Sequence, residues 1–323
     1  MLSFVAQRIV KGVIVLLAII VLNFFLIRLA PGDPASVMAG EAGASDKVFV
    51  AQLREKFGLD RPLPEQLLIY VKGILSFDLG YSFRQQEAVS QLILERLPAT
   101  LLLTITAFAI SLLLGVLFGT LAARFAGTWA DTAITTAALI FYATPLFWVA
   151  LIGILLFSVE WDLLPSFGYE TVGANYTGFS HMLDVGAHLI MPAATLGLFF
   201  MATYARMTRA SMLEVKRLDF VKTARAKGLK AGVIQRRHVL RNALLPVVTL
   251  AGLHSGTLVG GAVLTETVFA WPGLGRLMYD ALIQRDYNLL LGVFVVCSAM
   301  VLIFNLITDL VYRIVDPRIE FAT

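Results

Sequence analysis

The chain has 323 residues, 58% of them hydrophobic and only 15% charged, with a formal net charge of +4. A soluble domain carries roughly a quarter charged residues, so an ordinary water-soluble enzyme is excluded. The single cysteine, Cys297, leaves no intrachain disulfide and reads as a small packing residue.

A hydrocarbon core of about 30 Å is crossed by about 20 apolar residues in a helix. Six stretches free of Asp, Glu, Lys and Arg approach or exceed that length: 12–27, 97–123, 132–159, 185–205, 242–265 and 287–308. The shortest is the first, which Lys11 extends by reaching towards the interface. Arg8 and Lys11 before an apolar run also fit a signal peptide. The run ends in RLAPGDP, however, where Arg28 and Pro31 stand in place of small cleavage residues, so a retained anchor is expected. APGDPAS, with Asp33, then reads as a turn. In PLPEQLLIYVKGILSF, Leu67, Leu68, Val71, Ile74 and Leu75 recur at helical spacing. This predicts a helix lying at the interface or on the bundle. Gly115 and Gly119 in the second window, and Gly252, Gly256 and Gly260 in the fifth, allow close helix approach. Pro145 and Pro192 are expected to kink the third and fourth spans. His254 is the isolated titratable residue of the fifth, read as a packing residue, and Glu266 and Asp309 stand at span ends.

Lysines and arginines in short loops set orientation. Arg8 and Lys11, Arg124, eleven basic residues in 206–241, and Arg313 and Arg318 fall on one side. The opposite side has none in 160–184 and two, Arg276 and Arg285, in 266–286. Both termini and the basic loop are therefore expected in the cytoplasm. The net charge reflects topology, and no basic surface interleaved with aromatics suggests nucleic acid.

Chemistry of its own is hard to find. GLHSG at 252–256 superficially resembles a serine hydrolase elbow, but His254 occupies the nucleophile position and Ser255 is displaced by one. There is no His-Glu-x-x-His, no metal-spaced Cys/His cluster and no Gly-x-x-x-x-Gly-Lys-Ser/Thr phosphate loop. The chain is not expected to be an enzyme.

The basic loop has structure of its own. Asp219 can cap a helix and Gly228 can end it in a left-handed turn, bounding a helix at 220–227. At 100° per residue, Phe220, Val221, Ala224 and Gly228 share an arc of about 100°. Lys222, Arg225 and Lys227 rim this small-residue face. The pattern suits docking into a groove on an acidic protein partner, or contact with anionic lipid headgroups.

DFVKTARAKGL…RNALLP resembles the cytoplasmic Glu-Ala-Ala loop of permease subunits of bacterial ABC importers, and most of all the dipeptide/oligopeptide/nickel permease family. Lys222-Thr223-Ala224 occupies the Glu-Ala-Ala position, Gly228 that of the signature glycine, and Leu245-Pro246 that of its closing pair. Lys222 and Thr223 depart from the general pattern, and Thr-Ala-Arg-Ala-Lys-Gly is the form usual in the peptide branch. PGDP, FGLDRPLPEQ from Phe57 and ETVFAWPGLGRL from Glu266 look like features of the same family, so the resemblance spans the chain.

The resemblance implies an all-α, six-helix membrane protein of the type I importer class. Residues 1–96 would form a first helix plus an extracytoplasmic segment, and 97–323 a five-helix core with a coupling loop at 206–241. It implies a homologous second permease, two ATPase subunits that bind ATP and magnesium, and an extracytoplasmic solute-binding protein; this chain would itself bind no cofactor and no metal. Asp219, Phe220, Val221, Lys222, Thr223, Ala224, Arg225, Ala226, Lys227 and Gly228 would form the coupling helix and its turn, seated on an ATPase. In ETVFAWPGLGRL, Pro272, Gly273 and Gly275 break a helix and Trp271 suits the interface. Glu266, Phe269, Trp271, Pro272, Gly273 and Gly275 are expected to form an outer gate or binding-protein contact, or else a plain anchored loop. Cargo would be a peptide, nickel chelate, opine or oligosaccharide, none of which any residue selects. A self-sufficient secondary transporter or channel is the rival reading, weakened by the scarcity of ionisable groups within spans.

Overall fold

The computed structural model describes residues 2–29, 36, 39–40, 47–56 and 60–315, and side chains among these except 2–5, 27–29, 49, 53, 56, 255, 257–261 and 311–315. The PGDP turn, the Phe57–Leu59 start of FGLDRPLPEQ, the side chain of Ser255, the packing of Gly260, and Arg313 and Arg318 lie outside that description.

The chain is helical almost throughout. It runs α1 (Leu2–Leu29), α2 (Lys47–Lys56), α3 (Leu63–Leu75), a hairpin of β1 (Tyr81–Ser82) and β2 (Glu87–Ala88), α4 (Val89–Arg124) and α5 (Trp129–Ala143). It continues through α6 (Leu146–Ile154), a π-helical turn at Leu155–Glu160, α7 (Phe179–Val215), α8 (Asp219–Ala226) and α9 (Ala231–Val233). A second π-helical stretch, Ile234–Leu240, leads into α10 (Arg241–Val268), followed by α11 (Leu274–Gln284) and α12 (Tyr287–Val315).

Among the described residues four helices are long and apolar enough to cross a membrane, or five if the bent pair α5–α6 counts as one span. The fifth sequence window is covered by the 28-residue α10. Helices outrun their windows. α4 starts at Val89 rather than near 97, and α7 spans 37 residues around a window of 21. Charges such as Glu95 and Arg96 end a hydrophobic run without ending a helix. The two prolines behave differently. At Pro145 the helix stops, with Thr144 extended (ψ 135), and α5 and α6 diverge by 101°. Pro192 is carried inside a continuous α7, so no break forms there.

Packing divides the chain into two units, Met1–Pro98 with Gly273–Leu302, and Ala99–Pro272 with Ile303–Thr323. Residues 273–302 group with the N-terminal part in the first of these units. In the first unit, α3 packs on α1 through Tyr70 against Phe24, ring centroids 5.8 Å apart. Leu67, Val71 and Ile74 are half-buried, whereas Leu68 and Leu75 are exposed. The hairpin is tied to the start of α12 by Asp286, which accepts from the Ser82 hydroxyl and from the Leu289 amide at 3.0 Å.

The second unit is held by close helix contact. A Cβ at Gly115 would lie 2.4 Å from Tyr204 Cβ, and one at Gly119 2.5 Å from the Ala205 carbonyl, so α4 and α7 meet backbone to backbone. A Cβ at Gly252 would collide with Thr308 at 1.8 Å, fixing α10 against α12. His254 lies with its ring 5.9 Å from both Phe200 and Tyr204. In lipid, where apolar burial alone does not favour helix association, such fit is the main attraction.

Candidate functional site

Two groups of residues were singled out by sequence, and they lie towards opposite ends of α10, roughly 40 Å apart along its axis. The basic loop forms a helix one residue earlier than expected: α8 spans Asp219–Ala226, with Leu218 at the cap position and Lys227 closing it. Asp219 makes no capping bond and instead accepts from Lys222 Nζ at 2.8 Å. Both partners are well exposed, so this pair contributes little. Gly228 follows at φ 74, the left-handed turn expected of it.

The expected docking face is divided. Val221 (0% exposed) and Ala224 (5%) turn inward onto Ala123 of α4, Met212 of α7, Ile234, Val239 and Ala243. The small-residue face is therefore occupied by the chain's own core and is not offered to a partner. Burying the Val221 side chain contributes about 1.5–3 kcal/mol relative to exposure. Phe220 sits at the margin of this face and stays 41% exposed, with Lys222, Thr223, Arg225, Ala226 and Lys227 also at the surface. Beyond the turn, Lys230, Arg236 and Arg237 extend the positive field. Lys216, at the junction of α7 and α8, donates to the Ala123 carbonyl. Burial, reinforced by the charge of Arg225, holds its ammonium below the usual lysine range. α8 is thus an exposed, cationic rod anchored on its inner side.

The other group is buried. Glu266, fully enclosed in the last turns of α10, accepts from Thr100 Oγ1 at 2.7 Å. Phe269 ends the helix, Ala270 adopts φ 51, and the Trp271 amide donates back to the Glu266 carbonyl at 2.9 Å. Trp271, expected at an interface, is completely buried. Its Nε1 donates to the Ala99 carbonyl at 2.9 Å and its ring lies 4.9 Å from that of Tyr169. The Gly168 amide donates to the Phe269 carbonyl at 2.9 Å. Gly273 caps α11 and Gly275 lies buried in its first turn; Pro272 is half-buried. In this conformation most of the segment is buried in a clasp closing α10 onto α4 and the 161–178 loop, with Ala270 and Pro272 partly exposed.

Sequence reasoning missed an ion pair. Asp131, in the first turn of α5 and 4% exposed, accepts from Arg209 Nε and Nη2 of α7, both at 2.7 Å, and from the Gly127 amide at 3.0 Å. Asp131 directly precedes the 132–159 window and Arg209 is one of the eleven basic residues of 206–241, but no local pattern pairs them. Nearby, Arg206 lies over the Tyr142 ring at 5.3 Å, beside a cavity of about 380 Å³ between α4, α5 and α7. A second cavity, of about 290 Å³, lies between α4, α10 and α12. Its polar side chains are Thr104 and Thr308, whose hydroxyls donate to carbonyls of their own helices. Such a lining suits apolar matter and not a zwitterion. No cluster of metal-binding side chains occurs among the described residues.

Residues 115–321 match the family described as binding-protein-dependent transport system inner membrane component, and residues 1–104 match its N-terminal companion. The chain belongs to this family. Its relatives within it are ABC peptide permeases. The dipeptide transport system permease protein DppB of Escherichia coli (strain K12) is 40% identical over 337 residues, covering 99% of each chain. The di/tripeptide transport system permease protein DppB of Pseudomonas aeruginosa (strain UCBPP-PA14) is 40% identical over 336 residues, again covering 99% of each. Among solved structures, an inward-facing form of the MetNI methionine ABC transporter superposes with a TM-score of 0.57 at 21% identity, over 70% of this chain and 97% of that one. An amino acid ABC transporter with histidines gives 0.51 at 18%, over 69% and 94%. At that identity the likeness is one of fold, and the fold is that of ABC importer permeases. As a family member with several membrane-spanning helices, the chain is a multi-pass membrane permease of the peptide branch.

Proposed function

We propose that the chain is one of two membrane subunits of a bacterial inner-membrane importer that brings di- or oligopeptides, or a related small solute, into the cytoplasm at the expense of ATP. In this reading it crosses the membrane six times with both termini inside. A homologous permease completes the path, two cytoplasmic ATPase subunits bind ATP and magnesium, and an extracytoplasmic protein delivers and selects the solute. This chain binds no cofactor. α8 is the coupling helix.

The observation that carries the proposal is the anchoring of α8. Its inner face is locked into a core shared with α4, α7 and the start of α10, while Phe220 and a cationic rim face outward. A helix held in that way moves as one body with the spans beneath it, whereas a lipid-binding basic loop requires no such anchor. Nucleotide-driven motion of the ATPases then shifts the equilibrium between two arrangements of the spans. The dipeptide permeases aligned over the whole chain support peptides as cargo.

The test is Phe220→Asp in the assembled complex. Membrane insertion stays normal, since the residue is outside the core, while co-purification of the ATPases and solute uptake fall at least tenfold. Unchanged co-purification and uptake would falsify the docking role.

A further inference from the structure

Apolar packing makes one block of the end of α4, the end of α7, α8 and the start of α10, and α5 contributes no residue to that cluster. α5 also packs on α7 further along, through Ala138 and Phe141 against Leu198, Met201 and Ala202, and through Tyr142, stacked on Phe199 at 5.8 Å. The charged and directional contact is Asp131 with Arg209. Arg209 lies six residues before the end of α7 at Val215, roughly 9 Å along the axis from the junction that Lys216 ties to Ala123. Its two parallel bonds of 2.7 Å fix direction as well as distance. Among the described residues this is the ion pair that joins α5 to α7. At its N-terminal end α5 leaves a left-handed turn at Gly127 (φ 79), and at its other end it bends through 101° into α6. It is therefore a short rod between two bends, packed on α7 by apolar contacts along its later turns and tied to it by Arg209 at its start, the end nearer α8.

We propose that Asp131 and Arg209 are positioning residues for transport: their pairing makes the bent α5–α6 span follow displacement of α8. The inference rests on the reading of α8 as the coupling helix. Separating the pair leaves a buried carboxylate without its partner, which is unfavourable enough to keep the two helices together through the cycle.

The experiment uses the complete complex in vesicles, with uptake and ATP hydrolysis followed in parallel, and three variants: Asp131→Asn, Arg209→Gln, which strands the buried carboxylate, and the double neutral Asp131→Asn with Arg209→Gln. The single changes are expected to keep hydrolysis within about twofold of the parent while uptake per ATP falls about tenfold. The double variant regains thermal stability, because no lone buried charge remains, yet its uptake per ATP stays low. That split separates positioning from simple stabilisation. Recovery of uptake per ATP in the double variant assigns the pair to charge compensation alone and overturns the inference. Normal uptake per ATP in the single variants, or failure of the double variant to assemble, overturns it equally. None of these results touches the docking of α8, which stands or falls on Phe220→Asp.

Discussion

Neighbouring residues of α8 are opposite in consequence. Val221 is sealed into the core and Phe220 is not, although both are large apolar side chains on one short helix. Val221→Asp places a charge in an apolar cluster, a cost of several kcal/mol. It is expected to lower the thermal midpoint of the purified chain in detergent, whereas Phe220→Asp leaves that midpoint within a degree or two. Gly228 has open space around its Cα, so its constraint is conformational and not steric. Gly228→Ala should cost about 1–2 kcal/mol from the left-handed backbone alone. A bulky Gly228→Trp adds a side chain in the path of any docking partner and is expected to reduce ATPase co-purification further than alanine does. At the other end of α10, Trp271→Phe keeps most of the buried ring and loses the bond to Ala99, a change of about 1 kcal/mol readable in the same melting assay.

Among the helices, glycine matters where backbones touch. Gly119→Leu would drive a side chain into the Ala205 carbonyl and Thr208 and push α4 from α7. Overpacking of this kind costs about 1–3 kcal/mol or more. Gly186, also in α7, faces nothing within 4 Å, and Gly186→Ala is expected to leave stability unchanged or raise it by up to about 1 kcal/mol. A comparison of the two variants by detergent melting tests whether the α4–α7 contact is what holds the second unit. Of the clusters of small residues seen in sequence, Gly115 and Gly119 sit in such a contact, as does Gly252 against Thr308.

For the whole molecule the prediction concerns self-sufficiency. Neither cavity offers the paired charges by which a gradient-driven carrier binds and releases ions, and the charged pair beside one of them is bonded to itself. The chain reconstituted alone is expected to show no uptake under sodium or proton gradients, and to transport only with its second permease and ATPases present. Gradient-driven uptake by the isolated chain would overturn this and favour a secondary transporter.

Local chemistry alone determined a good deal. Charge-free windows located the long apolar helices because the bilayer penalises any exposed polar group. Gly228 marked the end of α8 because left-handed backbone is nearly free only for glycine. The break at Pro145 followed from a residue that lacks an amide hydrogen. What the tertiary structure decided was which face points where. Helical periodicity grouped Phe220, Val221 and Ala224 on one arc, but only the approach of Ala123, Met212 and Ile234 assigned Val221 and Ala224 to the interior. Trp271 reads as an interfacial residue from its neighbours, and packing with Tyr169 and Ala99 buries it. Asp131 and Arg209 stand 78 positions apart, and their pairing exists only because α5 and α7 lie side by side. Periodicity and chain-breaking residues act over a few bonds; the partner that covers a face or neutralises a charge comes from a distant part of the chain.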